Sequence, residues 1–187
     1  GGKTSLDSQG RASVTLGGEF LVQNTQTSTL AASANPDGSL AFTVGGNAAS
    51  LNSGNLLGGS QALQAIGGLR TQLDDLAEQV MTTLNTAQDN GTAPDGSAGQ
   101  PFFSGTGAAD MALALNSGNQ IATAPAGAPA GSRDIANLQA LRDALASGGP
   151  AHSADALLFS LSSAIDARSV TRDALRTIAD TAQVSLS

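Results

Sequence analysis

A nucleophilic catalytic triad would require a histidine and an activated serine, and this sequence contains little that could form one. His152 is the only histidine, so a Ser–His–acid triad would have to use it as its base. It lies between Pro150 and Ser153 in a predicted turn, and no Gly-x-Ser-x-Gly motif is present to hold a nucleophilic serine. We therefore interpret His152 as a surface residue and predict no catalytic residue in this chain.

Three carboxylates lie close together within one predicted helix, those of Asp74, Asp75 and Glu78. Paired carboxylates can hydrolyse glycosides, but such sites also need side chains that hold the sugar, and the chain has five Phe, no Tyr and no Trp. The runs at 89–91 and 95–97 lack the spacing and distal Glu of a calcium loop. The sequence thus predicts no metal and no cofactor, and the carboxylates are interpreted as solvated or ion-paired.

Composition and charge exclude several other classes of function. Without cysteine, the chain has no disulfide, no thiolate nucleophile and no Cys-based metal site. Fifteen acidic against eight basic residues give a formal net charge of −7, which disfavours nucleic acid and anionic membranes as partners because both bind basic patches. No apolar run is long enough to span a bilayer, and no signal-peptide pattern is present.

A glycine-rich loop followed by an aromatic pair is the most specific local motif. Gly91, Gly96 and Gly99 precede Phe102 and Phe103. A phosphate-binding loop needs a strand before it and a helix directly after it. Neither is predicted here, so we expect the glycines to provide backbone conformations with positive φ. The two rings are predicted to anchor the loop onto the helical part of the chain, because large aromatic side chains gain much from burial.

A long helix must position this loop. Apolar residues recur every three or four positions over about 57–89, which is the spacing of one helix face. Asn90-Gly91 is typical of a helix that ends in a left-handed turn. Gly67-Gly68 allows a kink or break, since each Gly costs about 1 kcal/mol relative to Ala in a helix. The apolar stripe consists of Ile66, Leu69, Leu73, Leu76, Val80, Leu84 and Ala87.

The first 56 residues are predicted to form short strands. Leu40, Phe42 and Val44 place bulky apolar side chains at alternate positions, as a strand with one buried face does. Gly17-Gly18 predicts a two-residue hairpin turn, and the Asn-Pro-Asp-Gly run at 35–38 predicts a tight reversal. Strands so short, with so few bulky side chains, favour a small antiparallel sandwich or barrel.

The second half of the chain is predicted to be mixed. Loops and short strands are expected at about 90–133, with the Pro/Ala/Gly run at 124–132 as a linker without ordering contacts. A short helix is expected at about 134–147 and a long helix at about 153–187, with Ser153 as its N-cap. The apolar stripe of the long helix consists of Leu158, Leu161, Ile165, Leu175, Ala179, Ala182 and Leu186.

Two arginines interrupt that second stripe. An Arg on a packed helix face is costly unless its stem packs and its charged group pairs. If the two long helices lie antiparallel along one apolar seam, Arg168 comes near Glu78, and Arg172 comes near Asp74 or Asp75. These residues are candidates for inter-helix ion pairs. The alternative, in which the stripe drifts and both arginines extend into water, fits the pattern equally well.

These elements define the predicted fold class, which is α+β. A small antiparallel β domain at 1–56 precedes an elongated helical domain at 57–187, which has two long antiparallel helices and an inserted β/loop segment. The chain starts without Met and stops within a helical pattern, so we expect a fragment of a longer protein. Because of its negative charge and an expected scarcity of exposed large apolar side chains, this fragment is predicted to be a monomer.

The segment from Asn85 to Phe103, NTAQDNGTAPDGSAGQPFF, resembles the N…G…G…G…FF segment of the flagellar hook-associated protein 1 family. The hairpin sequence GRASVTLGGEFLV is similar to that family's V-x-V-x-x-G-G-x-x-L-V pattern. The run Ser132-Arg133-Asp134 departs from the Gly-Asp-Asn turn that commonly opens the next helix in the family.

The resemblance implies a structural role in the bacterial flagellum, as the central domains of a hook–filament junction subunit that lacks both terminal regions here. It implies partners among other copies of itself, the hook protein and the second junction protein. It also implies an extracellular location after type III export without a cleavable signal, with chaperone binding outside this fragment. The alternatives are another axial protein (hook protein, flagellin or second junction protein) or a secreted ligand-binding or adhesin module.

Overall fold

Antiparallel strands precede a long helix, short strands and two further helices in the computed structural model, which describes residues 2–146 and 149–184. This order confirms the predicted α+β class. The chain divides into two compact units, one up to Thr71 and one from Gln72 onward, and each is described by itself. The first unit therefore includes the beginning of the long helix, whereas the sequence-based division at 56/57 follows the change from strands to helix and stays a prediction of domain organisation.

The first unit contains two small antiparallel sheets. Four strands pair in the order β1-β2-β3-β4, and three pair in the order β5-β6-β7. The strands are β1 (Gly2–Leu6), β2 (Ala12–Leu16), β3 (Glu19–Gln23), β4 (Gln26–Thr27), β5 (Leu30–Ala34), β6 (Leu40–Val44) and β7 (Asn47–Ala48).

Two-residue glycine turns connect neighbouring strands in both sheets. Gly17 and Gly18 join β2 to β3 with φ angles of 61° and 94°, and Gly45 and Gly46 join β6 to β7 with φ angles of 59° and 88°. Two successive left-handed residues are the signature of a type I′ turn, whose twist matches that of the paired strands. The hairpin predicted at Gly17-Gly18 is confirmed.

Side chains from both sheets meet in one core. Phe42 and Val44, two positions apart on β6, are buried, whereas the residue between them is less so. This alternation is the one expected of a strand with one buried face. The core consists of Leu16, Phe42, Val44 and Ala49, with Leu21, Leu40 and Leu51 packed against it.

The long helix, α1 (Asn55–Asp89), is continuous through Gly67-Gly68, so the break allowed for at these glycines does not occur. Gly67 instead permits close packing, because a Cβ there would lie 3.1 Å from the carbonyl oxygen of Asp37 in the β5–β6 turn. Nearby, the Leu40 N–H donates to the buried hydroxyl of Ser60 at 2.8 Å. Within the first unit, these contacts hold α1 against β6 and its turn.

The second unit combines the rest of α1 with short strands and two helices. β8 pairs with β11 and β9 pairs with β10, both antiparallel. Its elements are β8 (Gly91–Thr92), β9 (Phe103–Ser104), β10 (Ala112–Leu113), a 3₁₀ turn (Gly118–Gln120), β11 (Ala124–Pro125), α2 (Ala136–Ala146) and α3 (Pro150–Val184).

Residues 124–132 are ordered by hydrogen bonds, so their interpretation as a linker was wrong. Ala124 and Pro125 form β11 against β8. Further along, the Gly131 N–H donates to the carbonyl oxygen of Pro94 at 2.8 Å. The composition of the segment did not reveal these bonds, because they use backbone groups that nearly every residue carries.

The helix starts differ from the predictions in an informative way. Asp134 precedes α2, and its carboxylate accepts the Ala136 N–H at 2.9 Å, as an N-cap side chain does. α3 begins at Pro150, so Ser153 is not the predicted N-cap. Proline suits the first helical position because the N–H that it lacks would have no partner there. The predicted helix ends at 147 and 187 lie outside the described residues.

The first turns of α3 contact α1. The Ser153 hydroxyl donates to Oε1 of Gln79 at 2.6 Å, and the adjoining cleft is lined by Gln72 and Leu76 of α1 and by Ser160 of α3. A cleft that joins earlier residues of α1 to later residues of α3 requires the two helices to run antiparallel here.

The predicted apolar seam does not continue along α3. Leu158, Ile165 and Leu175 of its stripe are 64%, 59% and 61% exposed, and the neighbouring Phe159 is 77% exposed. The expected scarcity of exposed large apolar side chains was therefore wrong. This removes one of the reasons for expecting a monomer, and the monomer itself stays a prediction. The side chains of Ala182 and Leu186 lie outside what the structure describes. Among the described helices, none has the length and apolar character needed to cross a membrane.

Candidate functional site

The most deeply buried polar side chain lies where α1 meets the glycine loop. Gln88 is 1% exposed. Its Nε2 donates to the carbonyl oxygens of Gln100 and Gln120 at 3.0 Å each, and its Oε1 accepts the Ala122 N–H at 2.7 Å. Buried amides of this kind are stabilising only when their donors and acceptors are paired. One glutamine thus joins the end of α1 to two separate loop segments.

A second buried amide completes this arrangement. Asn137 of α2 is 8% exposed, and its Nδ2 donates to the carbonyl oxygens of Ala87 at 2.9 Å and Ala122 at 2.6 Å. Ala122 is therefore held by Gln88 through its N–H and by Asn137 through its carbonyl. We call Gln88 and Asn137 together the amide clasp. It ties α1, α2 and the segment before β11 into one structure.

Two of the loop glycines are required by the clasp, for a reason that differs from the predicted one. Neither Gly91 nor Gly99 has a positive φ. A Cβ at Gly99 would collide with the carbonyl group of Gln88, and a Cβ at Gly91 would collide with the Asn137 amide and lie 2.8 Å from Cβ of Ala122. Close backbone approach, rather than left-handed conformation, therefore accounts for glycine at these two positions. Since neither Asn90 nor Gly91 has a positive φ, the predicted left-handed end of α1 is absent.

Gly96 is the one glycine of the three that has the predicted conformation. Its φ is 88°, in a turn where Asp95 Oδ1 accepts the Ser97 N–H at 2.9 Å and the Ser97 hydroxyl at 2.6 Å. The Ser97 hydroxyl and then its N–H lower the pKa of Asp95, because both bonds favour the ionised carboxylate. A Cβ at Gly96 would also lie 3.2 Å from Ala130.

The aromatic pair follows the loop and is fixed by a third side-chain amide. Asn85 of α1 donates through Nδ2 to the Phe103 carbonyl at 2.9 Å and accepts the Phe103 N–H through Oδ1 at 3.0 Å. Phe102 and Phe103 are each half-buried, with ring centroids 6.2 Å apart. Their predicted role as anchors of the loop stays a prediction, and the backbone of Phe103 is held by Asn85.

Beyond Phe103 a short hairpin folds back along α1. Asp110 accepts the N–H groups of Thr106 and Gly107, both at 2.9 Å, and the Thr106 hydroxyl at 3.0 Å. The Ala108 N–H donates to Asp74 of α1 at 2.8 Å. The Thr106 and Gly107 amides, followed by the Thr106 hydroxyl, lower the pKa of Asp110. Asp74, a candidate for an inter-helix ion pair, thus binds the hairpin.

The geometry described above can be compared with known protein families. Residues 1–103 match the family described as the flagellar hook-associated protein FlgK helical domain, which is more than half of the 187 residues. The chain belongs to the FlgK family. A comparison with curated proteins gives no match.

The FlgK match runs through α1 and the glycine loop to Phe103. It contains the segment 85–103 from which the resemblance was drawn, so that interpretation is confirmed. Membership of the FlgK family makes this a flagellar hook-associated structural protein and an extracellular component of the flagellum. Gln88 and the three loop glycines, Gly91, Gly96 and Gly99, lie within the matched residues, whereas Asn137 lies beyond them.

The other candidate residues of this FlgK-family chain lie apart from the clasp. Arg172 forms an ion pair with Asp173 at 3.0 Å on its own helix. Glu78 lines an open cleft that also includes Pro150. Within the described residues neither Glu78 nor Arg168 forms an ion pair, and their pairing stays a prediction. His152 is exposed in the first turn of α3. In the described part of the chain no cluster of three metal-ligating side chains occurs.

The sequence analysis missed the amides that hold this site together. Asn85, Gln88 and Asn137 are common helix residues, and no motif marks them. One signal was available for Gln88, because it lies four residues after Leu84 and so continues the direction of the apolar stripe. A polar residue near a buried helix face requires a partner, but its partners at 100, 120 and 122 depend on the tertiary fold.

Proposed function

We propose that this chain is the middle part of a hook–filament junction subunit and that it has no catalytic activity. The FlgK family match through the glycine loop to Phe103 carries this proposal, because that loop is the most specific motif of the sequence. It favours the first junction protein over the hook protein, the flagellins and the second junction protein.

The architecture of the second unit is consistent with a structural role. Residues 72–89 of α1 belong to this unit, which corresponds to about 27 Å of helix. The amide clasp fastens the C-terminal end of α1 to α2 and to the loop by four hydrogen bonds, and a fifth joins α2 to Ala122. A long helix fixed in this way can carry force between neighbours, since its bonded end resists fraying.

The proposed partners are other copies of the same protein, the hook protein and the second junction protein. The proposed route is export through the flagellar type III apparatus without a cleavable signal peptide. The exposed apolar face of α3 is consistent with a subunit that is stable in an assembly, because contiguous exposed apolar surface typically marks an interaction site.

Deletion of the gene that encodes the complete protein tests the assignment. Electron microscopy of the deletion strain should show hooks without filaments, and unpolymerised flagellin should appear in the culture medium. Antibodies against residues 1–187 should label a narrow band between hook and filament in the parent strain. Complementation with Gly118→Ala should restore filaments, since nothing lies within 4 Å of a Cβ there. Gly99→Ala should restore them poorly.

The alternatives give other outcomes in the same strain. Loss of the hook itself would indicate a hook protein, and labelling along the whole filament would indicate a flagellin. Labelling only at the filament side of the junction would indicate the second junction protein. Normal flagella together with reduced attachment to surfaces would support an adhesin and overturn the proposal.

A further inference from the structure

Asn90 and Gly91, at the end of α1, form the only Asn-Gly pair in the sequence. We propose that Asn90 is a site of spontaneous deamidation and that the clasp residue Asn137 controls its rate. The proposal concerns a covalent modification of the chain by its own backbone and water, and it does not depend on the proposed flagellar function.

The chemistry needs only these two residues and water. The backbone nitrogen of Gly91 attacks Cγ of Asn90, the new N–Cγ bond closes a five-membered succinimide, and the Cγ–Nδ2 bond breaks. Ammonia leaves with the proton that Gly91 loses. Water then opens the ring at either carbonyl, which gives aspartate or isoaspartate. No oxidant, reductant or metal takes part, and the chain gains one negative charge.

The residue types and the local surface favour this reaction. Asn90 is exposed, and within the described residues its side chain has no hydrogen-bond partner that would hold the amide away from Gly91. Gly91 has no Cβ to obstruct the approach of its nitrogen to Cγ. Asn52 and Asn116, in contrast, precede serine, whose side chain hinders the same ring closure.

The native backbone, however, opposes ring closure. The Asn90 N–H donates to the Thr86 carbonyl at 3.2 Å, and the Gly91 carbonyl accepts the Gly99 N–H at 3.1 Å. Gly91 also pairs with Pro125 of β11. Bringing the Gly91 nitrogen to Cγ requires rotation about the Cα–C bond of Asn90, which turns the 90–91 peptide and moves Gly91, so these hydrogen bonds must first open.

Asn137 is the side chain that limits this opening. Its amide lies against Cα of Gly91, so close that a Cβ there would collide with it, and it is fixed by two backbone carbonyls. Movement of Gly91 therefore requires that the Asn137 amide move or lose its bonds. The rate of deamidation should follow the population of the locally open state, as amide exchange does.

Deamidation should in turn loosen the clasp. Isoaspartate lengthens the backbone by one methylene directly before Gly91 and so must shift Gly91, which is packed so closely that a Cβ on it would collide with Asn137 and Ala122. Either product also places a carboxylate at the C-terminal end of α1, where the helix dipole disfavours negative charge. The modification is therefore expected to open the end of the helix.

The test uses the 187-residue chain incubated at mildly alkaline pH, with peptide mapping by mass spectrometry to quantify aspartate and isoaspartate at position 90. The wild-type chain should deamidate much more slowly than the same chain in concentrated urea. Asn137→Ala should raise the native rate about tenfold, since removal of buried hydrogen bonds shifts local opening by roughly one such factor. Asn90→Ser should give no product at this position.

Asn85→Ala provides the matched control. It also removes a side-chain amide with two backbone bonds from α1, but these bonds lie at Phe103 and leave Gly91 covered, so its rate should stay near that of wild type. If Asn137→Ala does not fold, wild type in low urea replaces it, and its deamidation rate should rise in parallel with hydrogen exchange of the Gly99 amide. Equal rates in Asn137→Ala and wild type, or equal rates in folded and unfolded wild type, would overturn the proposal.

Discussion

Replacement of Gln88 by Met should destabilise the second unit by about 2–4 kcal/mol. Met preserves most of the side-chain volume and removes all three hydrogen bonds. Each such bond contributes roughly 0.5–1.5 kcal/mol, and a buried donor left without a partner costs about 1–3 kcal/mol. The donor in question is the N–H of Ala122, a residue that is 3% exposed.

The measurement must report on the second unit alone, because the chain has two units and a single unfolding curve combines them. Native-state hydrogen exchange of the Ala122 and Gly99 amides meets this need. Gln72→Met is the control, since Gln72 is an exposed residue of the same helix. Protection of both amides should fall in Gln88→Met and stay unchanged in Gln72→Met.

Gln88→Ala separates hydrogen bonding from packing. It removes the same bonds and leaves a cavity as well, so its effect should exceed that of Gln88→Met. A loss below about 0.5 kcal/mol in Gln88→Met, the range typical of surface substitutions, would refute the reasoning. It would mean that Ala122 finds another acceptor or that water enters the site at little cost.

Three further predictions concern other residues of the second unit. Gly99→Ala should unfold or strongly destabilise the loop, because its Cβ would collide with the Gln88 carbonyl, whereas Gly118→Ala should leave urea unfolding unchanged. Because the pKa of Asp110 is lowered in the folded chain, its contribution to stability is complete above the pKa of the unfolded chain and is lost as the pH falls below about 4. Asp110→Asn should therefore flatten the acid side of the stability–pH profile. An unchanged profile would count against this role of Asp110. If Glu78 and Arg168 pair, reversal of both charges should recover stability lost by either single reversal, and a double-mutant cycle with coupling well below about 0.5 kcal/mol would reject the pair.

Patterns of neighbouring residues were sufficient for several elements. Gly17-Gly18 specified its hairpin because a type I′ turn needs two consecutive left-handed residues, and glycine adopts this conformation at little steric cost. The three-and-four spacing of apolar residues specified α1, and its continuity through Gly67-Gly68 shows that packing against the β5–β6 turn compensates for two weak helix formers. The segment 85–103 identified the family.

Predictions that involved distant residues were less successful. The expected seam between α1 and α3 assumed that matching periodicity implies mutual burial, yet Leu158, Ile165 and Leu175 are exposed in the single chain. Periodicity states which face of a helix is apolar and leaves open what covers it. The Pro/Ala/Gly run was taken for a linker because backbone hydrogen bonds leave no trace in composition.

The sequence by itself determined the α+β class, the hairpin turns, the long first helix and membership of the FlgK family, because these depend on local conformational preference and on the order of residue types. Only the tertiary structure decided that Gln88, Asn137 and Gly99 form one site. The atoms concerned are separated by up to 50 positions in the chain, and their pairing depends on where α2 and the loop come to rest. The same glycines that a sequence pattern assigns to left-handed turns are required at 91 and 99 because another part of the chain occupies the space of a Cβ.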